Sequence, residues 1–302
     1  MNGILPLWKP RGMTSHDCVF KLRKLLKTKK VGHTGTLDPE VSGVLPICIG
    51  RATKIADYIT SSGKTYEGEV TLGFSTTTED AWGERVEEKR IEGTISRDEI
   101  EAILKELTGE IIQTPPMFSA VKVNGKRLYE YARKGIEVER PSRKVQIHSL
   151  ELLEDWQELK GENVSFTFKV SCSKGTYVRT LAVEIGRRLG YPAHMSALTR
   201  TQSASFTSED CLTLEQIEEY VQNENPERLL LPLELGLLHL PKRVINDTLA
   251  EKVKNGARLE EPEDWPQSVE VVMEYEGKAI AIYQRHPDKQ GIIKPVKVLF
   301  ND

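Results

Sequence analysis

The sequence predicts an α+β protein of two unequal domains, and three patterns carry that expectation. Alternating apolar and polar residues mark half-buried strands over residues 66–74 and 164–172. Capped runs with apolar residues three and four apart mark surface helices between and beyond them. A Leu- and Pro-rich stretch at residues 229–240 then precedes a β-rich end. A chain of 302 residues is long enough to bury a main core and a smaller second one.

Taken in order, the elements begin after the turn-like Lys9-Pro10-Arg11-Gly12, where Thr14 or Ser15 can cap a helix. Its apolar residues Val19, Leu22, Leu25 and Leu26 follow helical spacing, and Lys and Arg gather on the other face. Residues 31–50 hold too much Gly and Pro for a helix and read as a loop entering a short buried strand. In the 66–74 strand, Tyr66, Gly68, Val70, Leu72 and Phe74 share one face, with Glu67, Glu69 and Thr71 on the other. Ser96-x-x-Glu99 is a capping box, and Ile100, Ile103, Leu104 and Leu107 carry that helix to Gly109.

Residues 114–145 break the pattern and read as an arm leaving the sheet, with Pro115-Pro116, Asn124-Gly125 and a basic stretch holding Tyr129 and Tyr131. Such interleaving suits a grip on nucleic acid, where cations meet phosphates and rings stack on bases; a solvated loop with packed tyrosines is the commoner meaning. After the 164–172 strand and a turn at Ser173-Lys174-Gly175-Thr176, the spacing of Val178, Leu181, Ala182, Ile185 and Leu189 predicts a helix with Arg179 in its first turn. Thr213-x-x-Gln216 repeats the capping signature. Near the end, Asp247 can cap a short helix stopping at Gly256, followed by strands at 269–275, 279–283 and 292–299. The division expected is 1–238, with the arm inside it, and 239–302.

Composition removes several function classes. With 38% apolar and 29% charged residues, and no apolar run near the roughly 20 residues that span a bilayer, a soluble globular chain is expected. The first nine residues lack the pattern of a secretory signal, so a cytoplasmic location is expected. Cys18, Cys48, Cys172 and Cys211 form no C-x-x-C pair and read as buried thiols; neither they nor the scattered His residues suggest a metal. The net charge of −3 argues against a polyanionic partner until its distribution is considered. Residues 1–60 hold ten Lys and Arg against four Asp and Glu, or +6, leaving −9 for the rest. A basic face for a polyanion and a merely solvated helix face both fit that asymmetry.

Gly32-His33-Thr34-Gly35-Thr36-Leu37-Asp38-Pro39 combines permissive backbone, hydroxyls and one carboxylate, materials for close approach to a ribose-phosphate. No G-K-[ST] closes it and no G-x-G-x-x-G occurs, so a nucleoside triphosphate site is not indicated. An isolated Asp-Pro would ordinarily just start a turn.

Taken together, Lys9-Pro10, the run from Gly32 to Pro46, Lys64-x-Tyr66, the segment from Cys172 to Thr180, and Ala193-His-Met-Ser-Ala-Leu198-Thr-Arg200 resemble the bacterial tRNA pseudouridine synthase B family, in order and across essentially the whole chain. The resemblance implies a catalytic domain on a mixed, largely antiparallel sheet with flanking helices, and a PUA-like RNA-binding domain at 239–302. It implies isomerisation of uridine to pseudouridine at position 55, in the TΨC arm of tRNA. That reaction breaks the N1–C1′ bond, turns the base and rejoins it through C5, so no cofactor or metal is needed. Beyond the TΨC stem-loop of tRNA no partner is implied, neither membrane nor protein, and a monomer is expected.

The roles follow from the same resemblance. Asp38 is the catalytic carboxylate, whether it attacks C1′, adds to C6 or removes a ribose proton, and each route needs it ionised. Arg179 would favour its charged form and hold its orientation. The target base must leave its stack, and Tyr66 is placed to stack on it, with core packing as the ordinary alternative. Tyr177 and Leu198 complete the pocket wall, Arg200 contacts phosphate or base, and Lys9, His33 and Lys64 join the substrate-binding set. An RNA-binding module without catalysis would leave Asp38 unexplained, and a glycosylase would release free uracil.

Overall fold

The computed structural model describes residues 1–267 and 269–300. The chain forms two compact units, one of residues 1–61 with 203–302 and one of residues 62–202.

In the first unit, the strand Gly3–Lys9 pairs antiparallel with Ser42–Ile49, and Val31–His33 pairs antiparallel with the end of the same strand. Gly3–Lys9 was not legible in sequence because nearly every residue in it is buried, which erases alternation, and because Pro6 argues against a strand. Pro6 lies opposite Pro46, so the two residues lacking an N–H share one rung. Between these strands the helix Ser15–Leu25 starts at Thr14, whose side chain accepts from Asp17 N while Asp17 accepts from Thr14 N. Cys18, Val19, Leu22 and Leu26 bury its inner face, and Lys27, at φ 50°, ends it in a left-handed turn.

Residues 242–298 of this unit form a sheet ordered Lys242–Val244, Glu270–Tyr275, Lys278–Arg285, Ile292–Val298 and Leu259–Glu260 among the described residues. The helix Asp247–Lys254 packs on it, capped by Asn246 rather than Asp247. Period-two alternation splits its side chains between two cores. Val271, Met273 and Tyr283 join Val253 and Trp265 on one face, while Val272 and Ile282 on the other meet Ile4, Val44, Ile55 and Leu237. The β-rich end therefore has its own core and also shares one with the amino-terminal strands.

In the second unit the sheet runs Ala193–Ser203, Lys64–Leu72, Val164–Cys172, Arg143–Leu152 and Gly109–Gln113. The central pair keeps one register from Val164 opposite Leu72 to Cys172 opposite Lys64, and the next two pairs are also antiparallel. The mixed, largely antiparallel sheet with helices is thus present, and the helix Val178–Leu189 packs on Lys64–Leu72 and on the helix Arg97–Glu106. The first strand ends at Leu72, short of the expected Phe74: Gly73, at φ 114°, breaks it, and Phe74–Thr76 pairs instead with Arg85–Glu88. Within the arm, Lys122–Val123 and Lys126–Arg127 form a hairpin around Asn124 (φ 49°) and Gly125 (φ 80°), followed by the helix Leu128–Ala132. Tyr131 Oη donates to Val123 O at 3.0 Å, and the Tyr129 ring lies 5.2 Å from the Arg133 guanidinium. The arm's expected last residues, 143–145, belong to the sheet.

Candidate active site

The Asp38 loop is tied on both sides of the carboxylate. On one side, Leu37 N donates to Ser15 Oγ at 2.9 Å, and Ser15 Oγ donates back to Leu37 O at 3.3 Å. On the other, Pro39 O accepts from Gly12 N at 2.9 Å and from Lys9 Nζ at 3.1 Å. Thr34 Oγ1 anchors the loop's start to Pro46 O at 2.8 Å, and Leu37 and Val41 are buried beneath it. Asp38 itself is half-buried. A short Gly-rich segment thus becomes a rigid mount for one carboxylate, at a cost in backbone entropy that these bonds and buried side chains offset.

Lys9 stands apart from the expectation of a substrate contact. It is fully buried, and its ammonium donates to Pro10 O at 2.8 Å and Met13 O at 2.6 Å besides Pro39 O. A buried cation ringed by carbonyls holds backbone in place. His33, half-buried, ends the Val31–His33 strand opposite Ile47 and leads straight into the loop.

In the second unit the structure brings Lys64, Tyr66 and Leu198 together on the sheet. Tyr66 is 8% exposed and sits opposite Val170. Gly68, two residues on, is a close approach: a Cβ there would lie 2.8 Å from the Phe168 ring and 3.1 Å from Leu198 Cδ1. Its missing side chain lets Leu198 close against the strand two residues from Tyr66. Lys64 is also buried, with Nζ donating to Ser62 O at 2.8 Å. Burial first, and the Arg200 charge second, push its pKa down to about 8. Arg200 is 1% exposed, so a surface phosphate contact is not where its side chain lies.

Arg179 occupies the first turn of the helix Val178–Leu189, 5% exposed. Its Nη1 donates to Thr78 O at 2.9 Å, its Nη2 donates to Phe118 O at 2.9 Å, and Nη1 lies 3.7 Å from Asp80 Oδ2. Just before it, Tyr177 is pinned through its backbone by Gln113, with N···Oε1 3.0 Å and Nε2···O 3.2 Å, and its ring lies 5.0 Å under the Arg143 guanidinium.

Sequence reasoning missed Asp80, Ser15 and Gln113 as parts of these mounts. For Asp80 a signal existed, since Thr77-Thr78-Glu79-Asp80-Ala81-Trp82-Gly83 is a hydroxyl-, acid- and Gly-rich punctuation between extended runs. Ser15 and Gln113 carry no such mark, because their importance comes from residues 22 and 64 positions away.

Comparison with known proteins matches residues 23–178 to the model described as "TruB family pseudouridylate synthase (N terminal domain)" and residues 179–238 to "tRNA pseudouridylate synthase B C-terminal domain". The chain is 58% identical over 302 residues to a Bacillus cereus protein named tRNA pseudouridine synthase B, covering 100% of this chain and 98% of that one. A Geobacillus thermodenitrificans protein of the same name is 59% identical over 303 residues, covering 99% of each. Among solved structures, one titled "Crystal Structure of a Cbf5-Nop10-Gar1 Complex" superposes with a TM-score of 0.77 at 30% identity, covering 99% of this chain and 85% of that one. Another, an H/ACA RNP "bound to a substrate RNA containing 2'-deoxyuridine", gives a TM-score of 0.73 at 28% identity, covering 99% and 85%. With the carboxylate loop, the Arg179 mount and full-length likeness in agreement, the chain belongs to the TruB family of pseudouridylate synthases.

Proposed function

We propose that this protein isomerises uridine 55 in the TΨC arm of tRNA to pseudouridine, taking the base out of its stack and using Asp38 to break and remake the glycosidic bond. The observation that carries this reading is the Asp38 mount. Backbone bonds grip Leu37 and Pro39 on either side of a half-buried carboxylate, the preorganisation that a group acting on a specific sugar or ring atom requires.

The remaining residues take roles that their surroundings support. Arg179, its guanidinium held by backbone carbonyls and Asp80, works in the same step as Asp38. Tyr66 and Leu198 form the wall on which the everted base stacks. Tyr177 frames that wall, and His33 meets RNA next to the loop. Lys9, buried, braces the Asp38 loop, Arg200 is buried in the second unit, and Lys64 supplies a cation two residues from Tyr66. Residues 1–238 form the catalytic part, and residues 239–302 act as a PUA-like RNA-binding domain. The protein works as a monomer in the cytoplasm. RNA is held in part by the helix Ser15–Leu25 and the turn after it, where Phe20 is 54% exposed with the Lys24 ammonium 4.5 Å from its ring, and Lys27, Lys29 and Lys30 are exposed.

The test is tritium release from tRNA labelled at uridine C5, since that hydrogen leaves only if carbon replaces nitrogen at the sugar. Wild type is expected to release it from tRNA carrying uridine 55 and not from tRNA lacking it. Asp38→Asn is expected to abolish release with tRNA affinity retained; turnover at the wild-type rate in that variant would refute the role of Asp38. Free uracil in the product would point to a glycosylase instead.

A further inference from the structure

One carboxylate next to the Arg179 mount has no part in the chemistry described so far. Glu79 lies between Thr78, whose carbonyl accepts from Arg179, and Asp80, whose carboxylate faces the same guanidinium. It adopts φ 63°, a left-handed backbone that costs a long side chain about 1 kcal/mol or more and that Gly or Asn would adopt more readily. The conformation is nonetheless pinned. Glu79 N donates to Thr76 O at 3.2 Å, Met195 N donates to Glu79 O at 3.0 Å, and Thr76 Oγ1 donates to Asp80 O at 2.6 Å. The half-buried Glu79 carboxylate accepts from Thr180 Oγ1 at 2.8 Å.

Two consecutive acids of the loop thus engage two consecutive residues at the start of one helix, Glu79 with Thr180 and Asp80 with Arg179. A helix N-terminus also favours negative charge. The left-handed turn at Glu79 aims both carboxylates at that terminus. We propose that Glu79 is a positioning residue for the isomerisation: through Thr180 it fixes the loop on the helix, so that Thr78 O and Asp80 hold the Arg179 guanidinium in its working orientation. The inference rests on the role given to Arg179 above.

The charges facing Glu79 are Asp80 from its own loop, Arg179 from the helix and Arg140 from the arm. Burial raises its pKa most, with the Thr180 bond and both arginines pulling the other way. A raised carboxylate loses its charge at a higher pH than an ordinary one, so the charge that braces the loop is lost early on acidification. This places the loss of positioning on the acid limb of the rate profile.

The experiment is single-turnover tritium release from C5-labelled tRNA by wild type, Glu79→Gly, Thr180→Val and Thr180→Ser, with tRNA affinity measured alongside. Glu79→Gly suits the left-handed backbone, so it removes the carboxylate without adding strain. The expected result is a rate loss of about tenfold in Glu79→Gly and in Thr180→Val with affinity within about twofold, no loss in Thr180→Ser, and a double variant no slower than either single. A wild-type rate in Glu79→Gly, a loss that Thr180→Ser shares, or losses that multiply in the double variant would each overturn the proposal. Glu79→Gln, equal in size, gives a second measure: its acid limb is expected at lower pH than that of wild type, and an unmoved limb counts against Glu79. A wild-type chain that releases no tritium defeats the functional reading itself, whereas an active wild type with an equally active Glu79→Gly defeats only the role of Glu79.

Discussion

Replacing Lys9 by Met tests whether the Asp38 loop depends on a buried cation. The change keeps the length and apolar stem and removes the ammonium that donates to Pro10 O, Met13 O and Pro39 O. Hydrogen bonds from a charged donor contribute about 1.5–3 kcal/mol each, and the desolvation of the buried ammonium opposes them, so a net loss of about 3 kcal/mol is reasonable. With an unfolding entropy of about 2.1 cal/mol/K per residue over 302 residues, each kcal/mol shifts the melting temperature by about 1.6 °C, so it is expected to fall by roughly 5 °C. Gly12 N still holds Pro39 O, so the loop keeps one tether and the protein folds. Asp38, next to Pro39, loses part of its orientation, and a displacement of the order of 1 Å lowers turnover by about 100-fold. Calorimetry and tritium release at a temperature well below the transition measure the two effects separately. Unchanged melting and unchanged turnover in Lys9→Met would refute the view that this cation braces the loop.

Other expectations follow from the same geometry. For Lys64, whose pKa is lowered to about 8 against 10.5 when unfolded, the unfolded state binds more protons at this group between those values, so its own contribution to stability rises across that range by about 3 kcal/mol. Lys64→Met should remove that rise in urea titrations run across the range, and an unaltered slope would show that another group causes it. Gly68→Ala puts a Cβ against Phe168 and Leu198 and is expected to cost about 1–3 kcal/mol while lowering kcat/KM, because Leu198 cannot keep its place against the strand. Lys24→Glu with Lys27→Glu should weaken tRNA binding and flatten its dependence on salt by about one unit of slope per lysine, with the single-turnover rate at saturating enzyme unchanged. A salt slope equal to that of wild type would remove the Ser15–Leu25 helix from the RNA-binding surface.

Much of the fold was legible because its signals are local. Val164–Cys172 alternates strictly and appears with the bounds that its pattern predicts, and Ser96 with Glu99 closes the capping box read from four residues. Where the reading fell short, distant partners had decided the outcome. Gly3–Lys9 is a strand because Ser42–Ile49 covers it, and full burial leaves no alternation to read. Phe74 continues the pattern of Tyr66 to Leu72 in sequence, yet it leaves the sheet at Gly73 to pair with Glu88.

The candidate site divides in the same way. The chemistry of Asp38, Tyr66 and Arg179 could be proposed from sequence because an ordered set of motifs carries a family resemblance over the whole length. Burial could not be: the resemblance implies RNA contacts for Lys9 and Arg200, and the structure places both side chains inside. The sequence by itself determined which side chains are available for the reaction, since composition and motif are properties of the chain. Tertiary structure decided which of them face solvent and which brace others, as Ser15 braces Leu37 and Asp80 braces Arg179. Dielectric environment and hydrogen-bond partners arise only when segments far apart in sequence pack together.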